Sequence, residues 1–245
     1  MLDNRFSRNE LFWGKICQDK LSNSNVAVFG LGGVGGFCLE MLARAGVGKL
    51  TIVDFDVVSE SNLNRQIIAL KSNIGKKKTA LFKERLLDIN SELELTVIDD
   101  FYVGENLNNQ FDFVADAIDT MRSKIALLEF CVKNNIPVIS SMGAGNRVNP
   151  EKLFVCDITD EVLKKSKDTF SSNVLYQLKK KGIENGITFV TSSEKPQVKE
   201  KIIEKEVIES KGIEFNKIIP ASTPFVASTA GIMMASYIVR KLCDL

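Results

Sequence analysis

Apolar residues follow one regular alternation as far as about Asn149 and a different pattern beyond it. Short apolar runs at Asn25 to Phe29, Lys49 to Val53, Leu93 to Asp99, Phe111 to Ala117 and Ile136 to Ser141 have the length and composition of strands. Stretches with helical spacing lie between them, near Gly36 to Ala45, Lys78 to Ile89 and Lys124 to Asn134. Strands that alternate with helices lie parallel, because each helix carries the chain back across the sheet, and ligands bind such sheets at the carboxyl ends of the strands. The pattern predicts an α/β fold: a Rossmann-like, doubly wound, mostly parallel sheet.

Beyond Pro150, strands are expected at Leu153 to Ile158 and Ile187 to Ser192, with a helix near Asn173 to Lys181. Gln197 to Lys217 mixes Lys and Glu with Val198, Ile202, Ile203, Val207 and Ile208, and reads as a solvated surface segment of low local stability. Phe225 to Val239 is interrupted by Ser228, Thr229, Gly231 and Ser236 and is shorter than the roughly 20 residues of a membrane span, so it reads as a packed helix. The expected organisation is a nucleotide-binding unit over 1–150, followed by 151–245 as a mixed β extension and terminal helix on the same sheet, the region for substrate or dimer contacts. Ala227, Gly231 and Ala235 share one face of that helix and suit close approach, either to a second copy in a homodimer or to this chain's own sheet.

The sharpest local signal is Gly30-Leu31-Gly32-Gly33-Val34-Gly35, between the strand ending at Phe29 and the next helix. Glycine permits the tight turn and brings main-chain N–H groups at the helix start close to a phosphate. Asp54, at the end of the second strand, stands where an acidic residue meets a ribose. Together these predict an adenine nucleotide and leave NAD, FAD and ATP open.

Arg65 and Lys78 follow within a short space, one a planar fork for phosphate oxygens and the other a mobile point charge at a helix start. A triphosphate has a use for both. Asp116 and Asp119 close the fourth strand and are expected to face opposite sides; Asp119, nearer the carboxyl edge, is the candidate magnesium ligand, and Asp116 reads as a solvated or capping residue.

At 245 residues with a formal net charge of +1, the chain is no general polyanion binder, although a local basic patch among Lys76, Lys77 and the lysines at 164, 165, 167 and 179–181 remains open. It has no histidine, which removes every histidine-based triad, general base and metal site. Cys17, Cys38, Cys131, Cys156 and Cys243 form no C-x-x-C pair, so no zinc site or disulfide framework is expected; Cys38 and Cys131 read as small buried hydrophobes. Reduced thiols and an amino terminus without an apolar signal core point to the cytoplasm, and membrane association is not expected.

The chain resembles the E1-like activating enzymes, which adenylate carboxylates. The resemblance runs through Arg5-Phe6-Ser7-Arg8, the glycine turn, Ala43-Arg44-Ala45-Gly46-Val47-Gly48, Asp54-Phe55-Asp56, Ser61-Asn62-Leu63-Asn64-Arg65-Gln66, Gly75 with Lys78, and Asp116-Ala117-Ile118-Asp119. It implies ATP and Mg2+ as cofactors, held by Gly30, Gly32, Gly33, Gly35, Asp54, Asp56, Asn62, Arg65, Lys78 and Asp119, with Asp54 on the ribose and Asp119 at the metal. Arg65, Lys78, Asp119 and Arg8 are the implied catalytic set, with Arg8 supplied across a homodimer. Within that group the chain is similar to the tRNA threonylcarbamoyladenosine dehydratases, through Ser140-Ser141-Met142-Gly143-Ala144-Gly145-Asn146 and Thr191-Ser192-Ser193-Glu194-Lys195-Pro196 among others. That implies cyclisation of a threonylcarbamoyl group beside the tRNA anticodon through an acyl-adenylate, with modified tRNA as partner. A sulfur-transfer protein is a further candidate partner. Two other readings stay open: an adenylating enzyme for a small carrier protein, and an NAD-binding module of the same fold.

Overall fold

The computed structural model describes residues 4–104, 107, 110–164, 168–197, 202–208 and 211–245. Strands β1 (Asn25–Phe29), β2 (Lys49–Val53), β3 (Glu94–Ile98), β4 (Phe113–Asp116) and β5 (Val138–Ser141) lie parallel in the spatial order β3, β2, β1, β4, β5. The chain winds outward from β1 to β3 and then returns to the other side of β1. This reversal opens a crevice at the carboxyl ends of β1 and β4, where sheets of this kind bind ligands. Past Pro150 the same sheet continues: β7 (Thr188–Ser192) pairs parallel with β5, and β6 (Leu153–Asp157) pairs antiparallel with β7 at the edge.

Alternate residues of β1 feed two cores, as a strand buried on both faces requires. Val26 and Val28 join one core, with helices α2 (Gly35–Ala45), α3 (Lys78–Ile89) and α7 (Pro224–Leu242). Ala27 and Phe29 join the other, with α4 (Met121–Lys133), the short α5 (Glu161–Lys164) and α6 (Thr169–Lys180). Cys38 and Cys131 are fully buried on α2 and α4, and burial pushes both thiols up, in keeping with their reading as small hydrophobes.

Four expectations are corrected here and at Asp116, and a fifth, at Lys78, in the site below. The first concerns the small-residue face of α7, which is used within the chain. Ala227 and Ala235 are buried, and a Cβ on Gly231 would run into the Val34 carbonyl and lie 2.9 Å from the Cys38 nitrogen, so α7 packs backbone to backbone on α2. The argument for a dimer through that face falls.

The second concerns the Lys/Glu-rich segment, which is solvated as expected, with Ile202, Ile203, Val207 and Ile218 exposed, but is ordered as a hairpin of β8 (Ile202–Ile208) and β9 (Ile213–Ile219). Ile208 is buried at one end, Phe215 lies 6.3 Å from Phe101 between ring centroids, and Lys211 pairs with Asp100 at 2.7 Å. The other end is pinned where Ala221 and Asn146 exchange hydrogen bonds and where Asn64 donates to the Ser222 carbonyl. The hairpin thus reaches from the loop after β5 to the loop after β3, along the carboxyl edge of the sheet.

The third is covalent: Cys17 and Cys243 are joined in a disulfide, with Cα atoms 5.0 Å apart. It ties α7 to α1 (Ser7–Asn23), a helix that breaks at Gly14, where φ is +81°. The fourth, at Asp116, belongs to the site below.

Two outcomes follow. Gly231→Ala should lose about 1–3 kcal/mol through overpacking, read by denaturant unfolding. Thiol titration of the denatured, unreduced protein should find three reactive cysteines of the five.

Candidate functional site

The glycine turn after β1 is held by contacts that exclude side chains. Gly30 has φ +84°, and a Cβ there would lie 2.8 Å from the Ala117 carbonyl oxygen on the turn after β4. A Cβ on Gly35 would run into the Gly30 carbonyl, and one on Gly33 would press to 3.2 Å on both Arg65 and Ala227. Gly36 N–H donates to the Gly32 carbonyl and opens α2. The N–H groups of a first helical turn lack intrahelical partners and favour an anion.

Asp54 is buried at the end of β2, where its carboxylate accepts from Leu31 N–H at 2.6 Å and from Asp56 N–H at 2.8 Å. It therefore braces the glycine turn directly. Burial raises its pKa above the ordinary carboxylate value, the Lys78 charge works in the opposite direction, and Asp56 adds to the rise. Lys78 is not a mobile charge: it is 3% exposed, and its Nζ donates to Asp56 Oδ2 at 2.6 Å. Asn62 is also buried, its Oδ1 accepting from Ser59 N–H at 3.2 Å.

Arg65 stands between these groups and β4. Its Nη1 donates to the Ser61 carbonyl at 2.8 Å and to Asn64 Oδ1 at 2.9 Å. Partial burial lowers its pKa, and the charge of Asp119 works against that shift. Asp119 is exposed in the turn after β4, so the structure brings Arg65, Asp119 and the glycine turn to one edge.

Asp116 is the fourth correction. It is fully buried, pairs with Lys124 Nζ at 2.6 Å and accepts from Ser140 Oγ at 2.7 Å, so it neither caps a helix nor meets solvent.

Arg8 is not brought to this site. It is exposed on the first turn of α1, and its neighbour Asn9 donates to the Arg44 and Ala45 carbonyls at the far end of α2. The 11 residues of α2 span about 16 Å, which separates Arg8 from its own chain's glycine turn.

One group escaped the sequence reading, and two were read only as part of a basic patch or of the resemblance. Lys77 donates to the Phe55 carbonyl at 2.9 Å and pairs with Asp99. Gln66 is buried beside Gly32, and its Oε1 has no partner; its signal was the Asn64-Arg65-Gln66 run itself. Arg147 is a buried hub that donates to the carbonyls of Gly143, Gly145 and Glu194 and pairs with Asp168 at 3.2 Å, fixing the loop after β5. Of the lysines considered for a basic patch, Lys181 pairs with Glu129 and Lys180 stacks on Tyr176, while 165 and 167 lie outside the described residues.

No group of three or more metal-ligating side chains occurs among the described residues. The donor set of Asn62, Arg65 and Lys78 around a glycine turn fits a polyphosphate, and a single exposed carboxylate fits a magnesium ion that takes its other ligands from phosphate and water.

The chain belongs to the ThiF family, whose model matches residues 6–244. It is 42% identical over 244 residues to the tRNA threonylcarbamoyladenosine dehydratase of Bacillus subtilis, covering 98% of this chain and 94% of that one. The crystal structure of Escherichia coli tRNA N6-threonylcarbamoyladenosine dehydratase in complex with ATP matches with a TM-score of 0.83 at 29% identity, over 98% of this chain and 94% of the other. Likeness to the Escherichia coli sulfur carrier protein ThiS adenylyltransferase is 36% but spans 52% of each chain.

Asp54 gives the site a pH signature. Its raised pKa means that its contribution to stability is fully present below the ordinary aspartate value and is lost as pH rises through the higher folded value. Unfolding of Asp54→Asn and the native chain, measured from about pH 4 to 8, should show the variant gaining on the native protein as pH rises.

Proposed function

We propose that this protein converts threonylcarbamoyladenosine beside the tRNA anticodon to its cyclic form by ATP-dependent carboxylate adenylation. The observation that carries this is the near full-length likeness to the Bacillus subtilis dehydratase, which extends through the β6, β7 and α7 region rather than stopping at the nucleotide unit. When bound, ATP supplies the α-phosphate that activates the substrate carboxylate and so allows a net loss of water.

The chain's own groups bind, orient and neutralise. Asp54 braces the turn and would hold the ribose. Arg65 would offer its guanidinium fork to phosphate oxygens, and Lys78, now held by Asp56, would supply a second positive charge to them. Asn62 contributes its amide nitrogen. Asp119 would hold Mg2+, which with Arg65 would supply positive charge to neutralise what develops at the α-phosphate. None of these roles needs a histidine, and the chain has none.

The active form in this proposal is a cytoplasmic homodimer, in which Arg8 of each copy serves the other's site because its own lies the length of α2 away. No helix among the described residues is long and apolar enough to cross a membrane. Exposed Leu11, Phe12 and Ile16 on α1 offer an apolar surface beside Arg8 for such contact.

The testing assay incubates protein, ATP, magnesium and tRNA bearing the open threonylcarbamoyl group, then digests to nucleosides for mass spectrometry. Loss of one water is the expected result. An unchanged nucleoside together with pyrophosphate exchange on a carrier protein would move the assignment to carrier adenylation. Arg65→Ala should weaken ATP binding about tenfold or more, and Asp119→Ala should cut turnover at least about a hundredfold without unfolding the chain. Mixing inactive Arg8→Ala with inactive Asp119→Ala protein should restore activity, because a mixed dimer retains one complete site; no recovery after subunit exchange would remove the trans role of Arg8.

A further inference from the structure

The least economical arrangement in the molecule lies directly beneath the proposed metal site. Asp116, Lys124 and Ser140 are each fully buried and form a closed triangle: Lys124 Nζ to Asp116 Oδ2 is 2.6 Å, Lys124 Nζ to Ser140 Oγ is 3.0 Å, and Ser140 Oγ to Asp116 Oδ2 is 2.7 Å. Burying an ion pair costs desolvation that its mutual attraction rarely repays, and apolar residues of the same shape commonly do as well or better. Lys124 is also in the first turn of α4, where the helix dipole disfavours a cation. Packing alone would select against this trio.

What the trio does beyond packing is visible at the other carboxylate oxygen. Asp116 Oδ1 accepts from Ile118 N–H at 3.0 Å, so the same anion clamps the turn that follows β4. That turn has two neighbours in the site. Its Ala117 carbonyl limits Gly30 of the glycine turn, and its next residue but one is Asp119. Asp116 is in register with Ser140 on β5, and Lys124 comes from α4, so the clamp is anchored on three elements at once.

We propose that Lys124 and Ser140 are positioning residues which, through Asp116, hold the 117–119 turn so that Asp119 meets the metal and phosphate in one fixed geometry. The roles of metal and phosphate rest on the adenylation reading; the clamp itself rests on the geometry of the three side chains. Asp116, Lys124 and Ser140 touch neither substrate nor nucleotide. Their charges cancel within the core, so the site gains rigidity without a change in its field.

The test uses two variants of the full chain. Asp116→Asn combined with Lys124→Met removes both buried charges together and leaves neither unpaired, and Ser140→Ala removes one corner of the triangle. Three quantities are compared with the native protein: binding of ATP alone and of Mn2+-ATP by calorimetry, hydrogen exchange at the Ile118 amide, and kcat with KM on modified tRNA. Metal-free ATP binding should stay within about twofold, whereas Mn2+-ATP affinity and kcat should each fall about tenfold, with KM for tRNA unchanged and faster exchange at Ile118. A merely structural trio would lower the melting temperature and leave the metal-dependent increment of ATP affinity intact; that result, with native exchange at Ile118, overturns the proposal. Should the double variant fail to fold, Ser140→Ala decides alone. Should the native protein leave tRNA unchanged, the dehydratase reading fails, and the metal-dependent increment and the Ile118 exchange still decide the clamp.

Discussion

The approach of the Gly30 backbone to the Ala117 carbonyl is the contact on which the site depends. It draws the turns after β1 and β4 together at the point where the strand order reverses, and a side chain at residue 30 would have to displace backbone. Once that approach is made, Asp54 can reach Leu31 N–H from β2, Gly33 can lie against Arg65, and Asp119 can stand across from the guanidinium. Four segments distant in sequence thereby share one edge. Helix α7 reinforces the same region from outside, since its Gly231 lets it settle on the start of α2.

The electrostatics of the edge follow from desolvation. Lys78 is almost wholly buried, and such a cation needs a partner in the absence of phosphate. Asp56 supplies it at 2.6 Å while Asp54, more deeply buried, keeps a raised pKa despite the nearby ammonium. Under the proposed function, a cation already placed beside a half-exposed carboxylate would need little reorganisation to meet a phosphate oxygen, and fixed charges of that kind act most strongly on a reaction.

The five parallel strands were legible because each is a short apolar run closed by a turn residue; β1 and β2 match their expected bounds, and β3 to β5 are shorter by one or two residues at an end. α1 was not legible as a core helix, because Leu11, Phe12 and Ile16 point outward and its inward residues include Ser7 and Gln18. The hairpin was hidden by its charges. Its alternation of Glu, Lys and Ile gives no single apolar face, and it docks through a few residues, chiefly Ile208 and Phe215, whose partner Phe101 is about a hundred positions away. Likewise, a spacing of 226 residues between Cys17 and Cys243 carries no local signal.

The site shows the same division between local and tertiary information. That the glycines, Asp54 and Arg65 share one edge was readable because a backbone turn and a strand end constrain residue type over a few positions. Asp116 was misread because its role depends on Lys124 from a helix and Ser140 from a neighbouring strand, and a lone aspartate gives no sign of either. The Ala227, Gly231 and Ala235 stripe was correctly seen as a close-approach surface, yet the sequence pattern could not choose between a second copy and α2, since small residues permit either contact and specify neither. Arg8 reverses that case. Its place at the far end of α2, about 16 Å from the glycine turn along the helix, sets it apart from its own chain's turn, so under the proposed function the argument for dimerisation passes from the buried face of α7 to the exposed face of α1.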